Sequence, residues 1–190
     1  MKIIKIPKAS TNSGYSPTQK LAEAFDSDEE TEKANTVARR FIAYRPRSES
    51  ELRKRLLKTF SSEVTSKSIA QMYRDGLLDD SRFAQMWVDS RQQSRPKSKR
   101  TIKQELLSKG ISEHTAEQAV SEIHDLENAL VCVRKKIRSM NGLEKEEFYK
   151  KLEGYLQRRG FSFSVSKTAI QQGWELNQSE INNTIDTINL

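Results

Sequence analysis

The sequence has a single cysteine, Cys132, so no disulfide can form within the chain. That suits a reducing compartment. No run of roughly eighteen apolar residues occurs, and nothing is fit to cross a bilayer as a helix. The opening stretch MKIIKIPKAS lacks the apolar core of a secretory leader. A cytoplasmic location, with no membrane partner, is therefore expected. The 7 glycines are scattered and form no phosphate-cradling loop. The 2 histidines, His114 and His124, are spaced so that one helix face cannot bring both to a metal. Asp75, Asp79 and Asp80 have no further carboxylate at a useful offset, and helix capping explains them more simply. No serine stands in a nucleophile-elbow context. No catalytic residue, metal ligand or cofactor site is expected, and the chain does not read as an enzyme.

Apolar residues are also scarce, 35% against 31% charged, where about 45–50% and about 25% are usual. Small modules with thin cores fit this balance better than one large core. The net charge of +7 is uneven. Residues 1–32 hold 4 Lys/Arg and 6 Asp/Glu, residues 33–109 hold 19 and 8, and residues 110–190 hold 10 and 12. The middle segment thus carries +11 and each flank −2. A concentrated basic region suits a polyanion or an acidic protein surface, although solvated helix faces account for many such clusters.

Residues 1–32 read as an extension. MKIIKI alternates like a short strand, a turn-rich polar stretch follows, and the acidic run DSDEETE reads as mobile. From residue 33 the pattern is helical. The remaining prolines, Pro46 and Pro96, lie in near-identical contexts, RPRS and RPKS, and mark loops between helices. Aligned at that period, the chain repeats itself. Leu52, Ile102 and Leu152 coincide, as do Leu56, Leu106 and Leu156. Phe60, Ile111 and Phe161 follow, with one extra residue before the later two, and Ser61, Ser112 and Ser162 come next. Ile69, Val120 and Ile170 coincide in the following segment. An apolar pair at i and i+4 repeated in register means that one helix face is buried three times.

The fold class is therefore all-α: three tandem three-helix repeats in an elongated, curved array, behind a short N-terminal extension. The repeats are expected at 33–78, 79–124 and 125–175, with a tail at 176–190. Their helices are placed near 33–44, 48–58 and 62–75, then 80–93, 98–109 and 112–123, then 125–139, 144–158 and 162–174. Ser48 to Glu51 reads as a capping box. Gly76, Gly110 and Gly160 suit helix C-termini. The bulky stripes Val37, Phe41, Tyr44 and Phe83, Met86, Trp87 read mainly as core, with Trp87 a candidate interface anchor.

Three basic clusters are candidates for binding. The first comprises Arg39, Arg40, Arg45 and Arg47, running on into Arg53 and Lys54. The second comprises Arg91, Arg95, Lys97, Lys99, Arg100 and Lys103. A weaker third contains Arg134 and Lys135. The first two bracket the proline loops, which puts them at the same corner of successive modules. Such a row matches a phosphate backbone or the acidic wall of a groove. Reading of bases by a third helix is less supported, since SEVTSKSIAQMYRDG and SEHTAEQAVSEIHD are not notably basic.

The stretches YRPRSESELRKRLL, DGLLDDSRFAQMWVDSR and KSKRTIKQELLSKGIS resemble the RecX family, the regulatory proteins of bacterial recombination. The likeness covers about residues 34–175. It implies three tandem three-helix repeats and a partner, the RecA recombinase filament on single-stranded DNA. It also implies suppression of that filament's ATPase, strand-exchange and coprotease activities by a monomer that negatively regulates recombination and the SOS response. Some members also bind DNA directly, so single-stranded DNA, and duplex DNA as an open alternative, join the expected partners. A stand-alone DNA-binding protein is the competing reading.

Overall fold

The computed structural model describes the backbone of residues 17–140 and 142–188 and the side chains of 28–140 and 142–178. Among the described residues nine helices follow one another and there is no strand. They are α1 (Pro17–Tyr44), α2 (Glu49–Leu56), α3 (Ser62–Arg74), α4 (Asp80–Ser94), α5 (Lys99–Ser108), α6 (Glu113–Ala119), α7 (Asp125–Ile137), α8 (Lys145–Gln157) and α9 (Phe163–Ile188). They form three three-helix modules in tandem. The helix starts are written in short polar side chains. Ser48 accepts from the Glu51 N–H at 3.2 Å and the Glu51 carboxylate accepts from the Ser48 N–H, which completes the capping box. Ser61, Asp79, Ser98 and Ser112 cap α3 to α6 in the same way.

Three boundaries differ from expectation by more than two residues. α6 ends at Ala119 and not near residue 123. α1 begins at Pro17 and not near residue 33, so the acidic run expected to be mobile lies inside the helix. Proline is favourable in a first helical turn, and the Lys33 to Glu29 ion pair at 2.8 Å supports the helix one turn apart. α9 runs on to Ile188, through most of the stretch expected as a tail. The MKIIKI strand lies outside the described residues.

Each module has its own core. Ala34, Ala38, Leu52, Leu56, Ile69 and Met72 close the first. Phe83, Ala84, Ile102, Leu106 and Val120 close the second. Cys132, Phe148, Leu152, Leu156 and Ile170 are in the third. The repeated leucine and isoleucine positions are all buried. The stripes are corrected in part: Val37 and Phe41 pack on the first core beside the fully buried Ala34 and Ala38, and Phe83 and Trp87 belong to the second, but Tyr44 is 85% exposed and Met86 44%.

One joint is used twice. The Ser48 hydroxyl donates to the carbonyl of Lys109 at 2.7 Å, and the Glu49 N–H donates to Asp80 Oδ1 at 2.8 Å. One module on, the Ser98 N–H donates to the Arg159 carbonyl at 3.1 Å and the Lys99 N–H to Asp125 Oδ1 at 2.6 Å. The start of each middle helix thus rests on the end of the next module's middle helix. Gly110 and Gly160 make the approach possible. Both have positive φ, +82° and +83°. A Cβ on Gly110 would lie 2.2 Å from Ser50 Cβ, and one on Gly160 would lie 1.9 Å from Thr101 Oγ1. The extra residue of the second and third repeats is this glycine. The first repeat, where Lys58 and Thr59 alone separate Leu57 from Phe60, lacks it, and no described module precedes it.

Candidate functional site

The proline loops are not open corners; they are parts of the joints. In the first, Glu51 is the central anion. Arg45 grips it with both nitrogens, at 2.9 and 3.2 Å, and Lys109 reaches it from the second module at 3.5 Å. Burial pushes the Glu51 carboxyl up, but the Arg45 hydrogen bond and the charges of Lys109 and Arg45 outweigh it and hold the group below the usual carboxylate range. The Arg47 guanidinium lies 3.9 Å over the Phe41 ring, and its Nε donates to the Phe41 carbonyl at 3.4 Å. Desolvation and then the neighbouring Arg45 charge lower the Arg47 pKa. Arg39 pairs with Asp75 at 2.8 Å and Arg53 with Glu49 at 2.7 Å.

In the second module Glu105 takes the central role. It accepts from Trp87 Nε1 at 2.9 Å, from Arg91 Nε at 2.7 Å and from Lys97 Nζ. Burial raises its carboxyl, yet the Lys97, Arg91 and Trp87 hydrogen bonds together leave it below its ordinary value. Arg91 and Lys109 lie over the Trp87 ring, 4.3 and 4.2 Å from its centroid. Trp87 therefore packs on the second core and orders a charged network. Lys103 bridges Glu113 and Glu117, each at 2.6 Å, and Lys99 Nζ donates to the Ser121 carbonyl at 3.2 Å. From the third module Lys135 Nζ donates to the Gln93 carbonyl, also at 3.2 Å.

The fourteen candidates therefore divide. Arg39, Arg45, Arg53, Arg91, Lys97 and Lys103 are held by carboxylates. Arg47, Lys99 and Lys135 rest on a ring or on carbonyls. Arg40, Lys54, Arg95, Arg100 and Arg134 are exposed, and among the described residues no carboxylate pairs with them. These five can meet an anion without dismantling an internal contact. Lys109, which no charge cluster singled out, ties two modules together through both its ammonium and its carbonyl. Its place just before the joint glycine is the signal that reveals it. Of the aspartates, Asp79 caps α4, as expected, while Asp80 serves the joint. Among the described residues no group of three or more His, Cys, Asp or Glu is placed to hold a metal ion, and no helix is long and apolar enough to cross a membrane.

Comparison with known proteins adds an independent line. Residues 79–120 match the family description "RecX, second three-helix domain", and residues 123–170 match "RecX, third three-helix domain". A regulatory protein RecX of Amycolatopsis mediterranei is 30% identical over 149 residues, covering 76% of this chain and 85% of the relative. One from Chlorobium phaeobacteroides is 32% identical over 148 residues, covering 76% and 96%. The crystal structure of RecX from Lactobacillus salivarius superposes with a TM-score of 0.66 at 22% identity, over 76% of this chain and 97% of that one. A second crystal structure, of a regulatory protein RecX, gives 0.67 at 23% identity, over 82% and 79%.

Proposed function

The chain belongs to the RecX family of regulatory proteins, and on that premise we propose that it binds the RecA nucleoprotein filament and lowers its ATPase, strand-exchange and coprotease activities. In this reading it acts in the cytoplasm as a monomer and restrains homologous recombination and the SOS response. The observation that carries the reading is the spread of exposed, unpaired cations over all three modules: Arg40 and Lys54, then Arg95 and Arg100, then Arg134. Each alone is a weak contact. A long row presents them together to a helical polymer, and linked weak contacts reinforce one another. Their counterparts on the filament are acidic protein surface, DNA phosphate or both.

The test is DNA-dependent ATP hydrolysis by RecA with the purified chain added. Inhibition below one chain per recombinase subunit is expected, and no effect at equimolar protein in low salt overturns the proposal. A gel shift with random-sequence competitor covers the rival reading. Tight, sequence-selective duplex binding without recombinase would assign the chain to stand-alone DNA binding.

A further inference from the structure

The two joints use equivalent residues but are not equally closed. α4 and α7 stand in corresponding places, because Asp80 and Asp125 accept from the N–H that follows each capping serine. Counted from these aspartates, Phe83, Trp87 and Ser90 on α4 correspond to Asn128, Cys132 and Lys135 on α7. At the second joint those three side chains donate to the carbonyls of Lys97, Pro96 and Gln93, and Pro96 is buried. At the first joint their counterparts make no such bonds, and Pro46 is exposed. Two cavities of ≈ 310 and ≈ 220 Å³ remain there, sharing Arg45, Pro46, Phe83 and Met86 in their walls. The groove exposes Tyr44, Leu77 (45%) and Met86 (44%).

A joint does not need this opening, since the second one seals it. The opening has a definite chemistry. Ile42, Pro46, Leu77 and Met86 give it aliphatic and thioether walls, which adapt to an inserted side chain. Three guanidiniums line it, those of Arg45, Arg47 and Arg82; Arg45 is held by Glu51 and the Asp79 carboxylate is engaged in capping α4, so among the described residues Arg47 and Arg82 are the cations left without a carboxylate. Arg82 is exposed and has no carboxylate partner among the described residues. We propose that this groove docks a protein segment that inserts an apolar side chain flanked by carboxylates. The proposal rests on the reading that the partner is the recombinase filament, and it places one protein contact at the first joint. Stacking of nucleobases calls for several open aromatic faces; here Phe83 is buried and Trp87 lies under Arg91 and Lys109, which leaves Tyr44 as the one open ring of the lining.

The test uses the full chain carrying Met86→Glu or Leu77→Glu, with Met86→Leu as the conservative change. Both sites are exposed, and circular dichroism confirms folding. Two probes are compared: RecA filament assembled on a fluorescent oligo-dT strand, and the same strand alone. The glutamate variants are expected to lose about tenfold or more in affinity for the filament. Met86→Leu should retain it, and binding to the bare strand should not change. Should a glutamate variant fail to fold, Arg82→Glu replaces it, with a several-fold loss expected on the filament alone. Undiminished filament binding by the folded variants overturns the docking site while leaving the regulatory reading intact. An equal loss on the bare strand reassigns the groove to nucleic acid and overturns it too. If the unmodified chain does not bind the filament, both proposals fall.

Discussion

A Cβ on Gly160 would lie 2.8 Å from the Ser98 hydroxyl oxygen, so the glycine that follows α8 and the serine that caps α5 leave no room for a side chain between them. Gly160→Ala therefore meets two penalties. The positive φ costs about 1–3 kcal/mol for a residue with a Cβ, and forcing the methyl against Thr101 and Ser98 adds about 1–3 kcal/mol. Gly142 supplies the comparison, with φ +78° and nothing within 4 Å of its Cβ position. Urea denaturation should show Gly160→Ala clearly less stable than Gly142→Ala. Equal losses would mean that the contact between modules yields freely.

Ser48 and Ser61 both cap helices, but only the Ser48 hydroxyl also donates to another module, at the Lys109 carbonyl. Loss of a cap costs about 1 kcal/mol, and an intramolecular hydrogen bond contributes about 0.5–1.5 kcal/mol net. Ser48→Ala is expected to destabilise the chain by more than Ser61→Ala, read from denaturation midpoints at constant slope.

Acid should loosen the Glu105 network. The folded-state pKa of Glu105 lies below its ordinary value. Its contribution is therefore fully present above about pH 4.3, the unfolded reference, and is lost as the pH falls through the lower folded value. Glu51 behaves alike, because its folded pKa is also lowered. Asp80 opposes them: burial, the largest influence on it, raises its pKa, so its contribution favours the folded state at low pH and fades as the pH rises through that value. Stability measured between pH 3 and 6 should fall less steeply with acid in Glu105→Gln than in the unmodified chain, at the cost of lower stability at neutral pH. Parallel curves would show that the network does not sense the proton.

Charge reversal should separate binding cations from structural ones. Arg95→Glu with Arg100→Glu touches two exposed, unpaired groups, so stability should hold within about 0.5 kcal/mol while affinity for the filament falls. If these two meet single-stranded DNA phosphates, the slope of log K against log salt should shrink by about 0.7 for each phosphate no longer neutralised. Arg91→Glu breaks the pair with Glu105 and the stacking on Trp87, and should lower stability as well. Unchanged affinity after the first reversal would remove the second cluster from the binding surface.

Much of the architecture was legible because burial repeats with a period. Leu52, Ile102 and Leu152 advertise one helix face three times, and the serines one position after Phe60, Ile111 and Phe161 advertise the next helix start. The start of α1 is less legible, since Leu21 and Phe25 make one isolated i, i+4 apolar pair and the acidic run after them has no apolar position until Ala34. Its packing is legible in part: Val37 and Phe41 pack against the first core as expected, whereas the fully buried Ala34 and Ala38 stand out less in the sequence and Tyr44 is exposed. The candidate site was legible as a count of charges but not as pairs. Arg91 and Lys97 meet the same carboxylate from different elements, and separation along the chain does not encode that meeting. The insertion before Ile111 and Phe161 was visible as a break in register. Only the fold shows that it is where one module touches another.

The joint also sets how many modules the row can hold. Gly110 and Gly160 are sockets, and Ser48 and Ser98 are the plugs that enter beside them. The first module has a plug without a socket. In the third, α8 starts a turn earlier, and Phe148, packed into the third core, stands where the plug would be. Only the middle module has both halves. The row is therefore directional, like a sentence. It could be lengthened in register by copying its middle word, residues 80–124, whereas a copy of the first or third module would break the line.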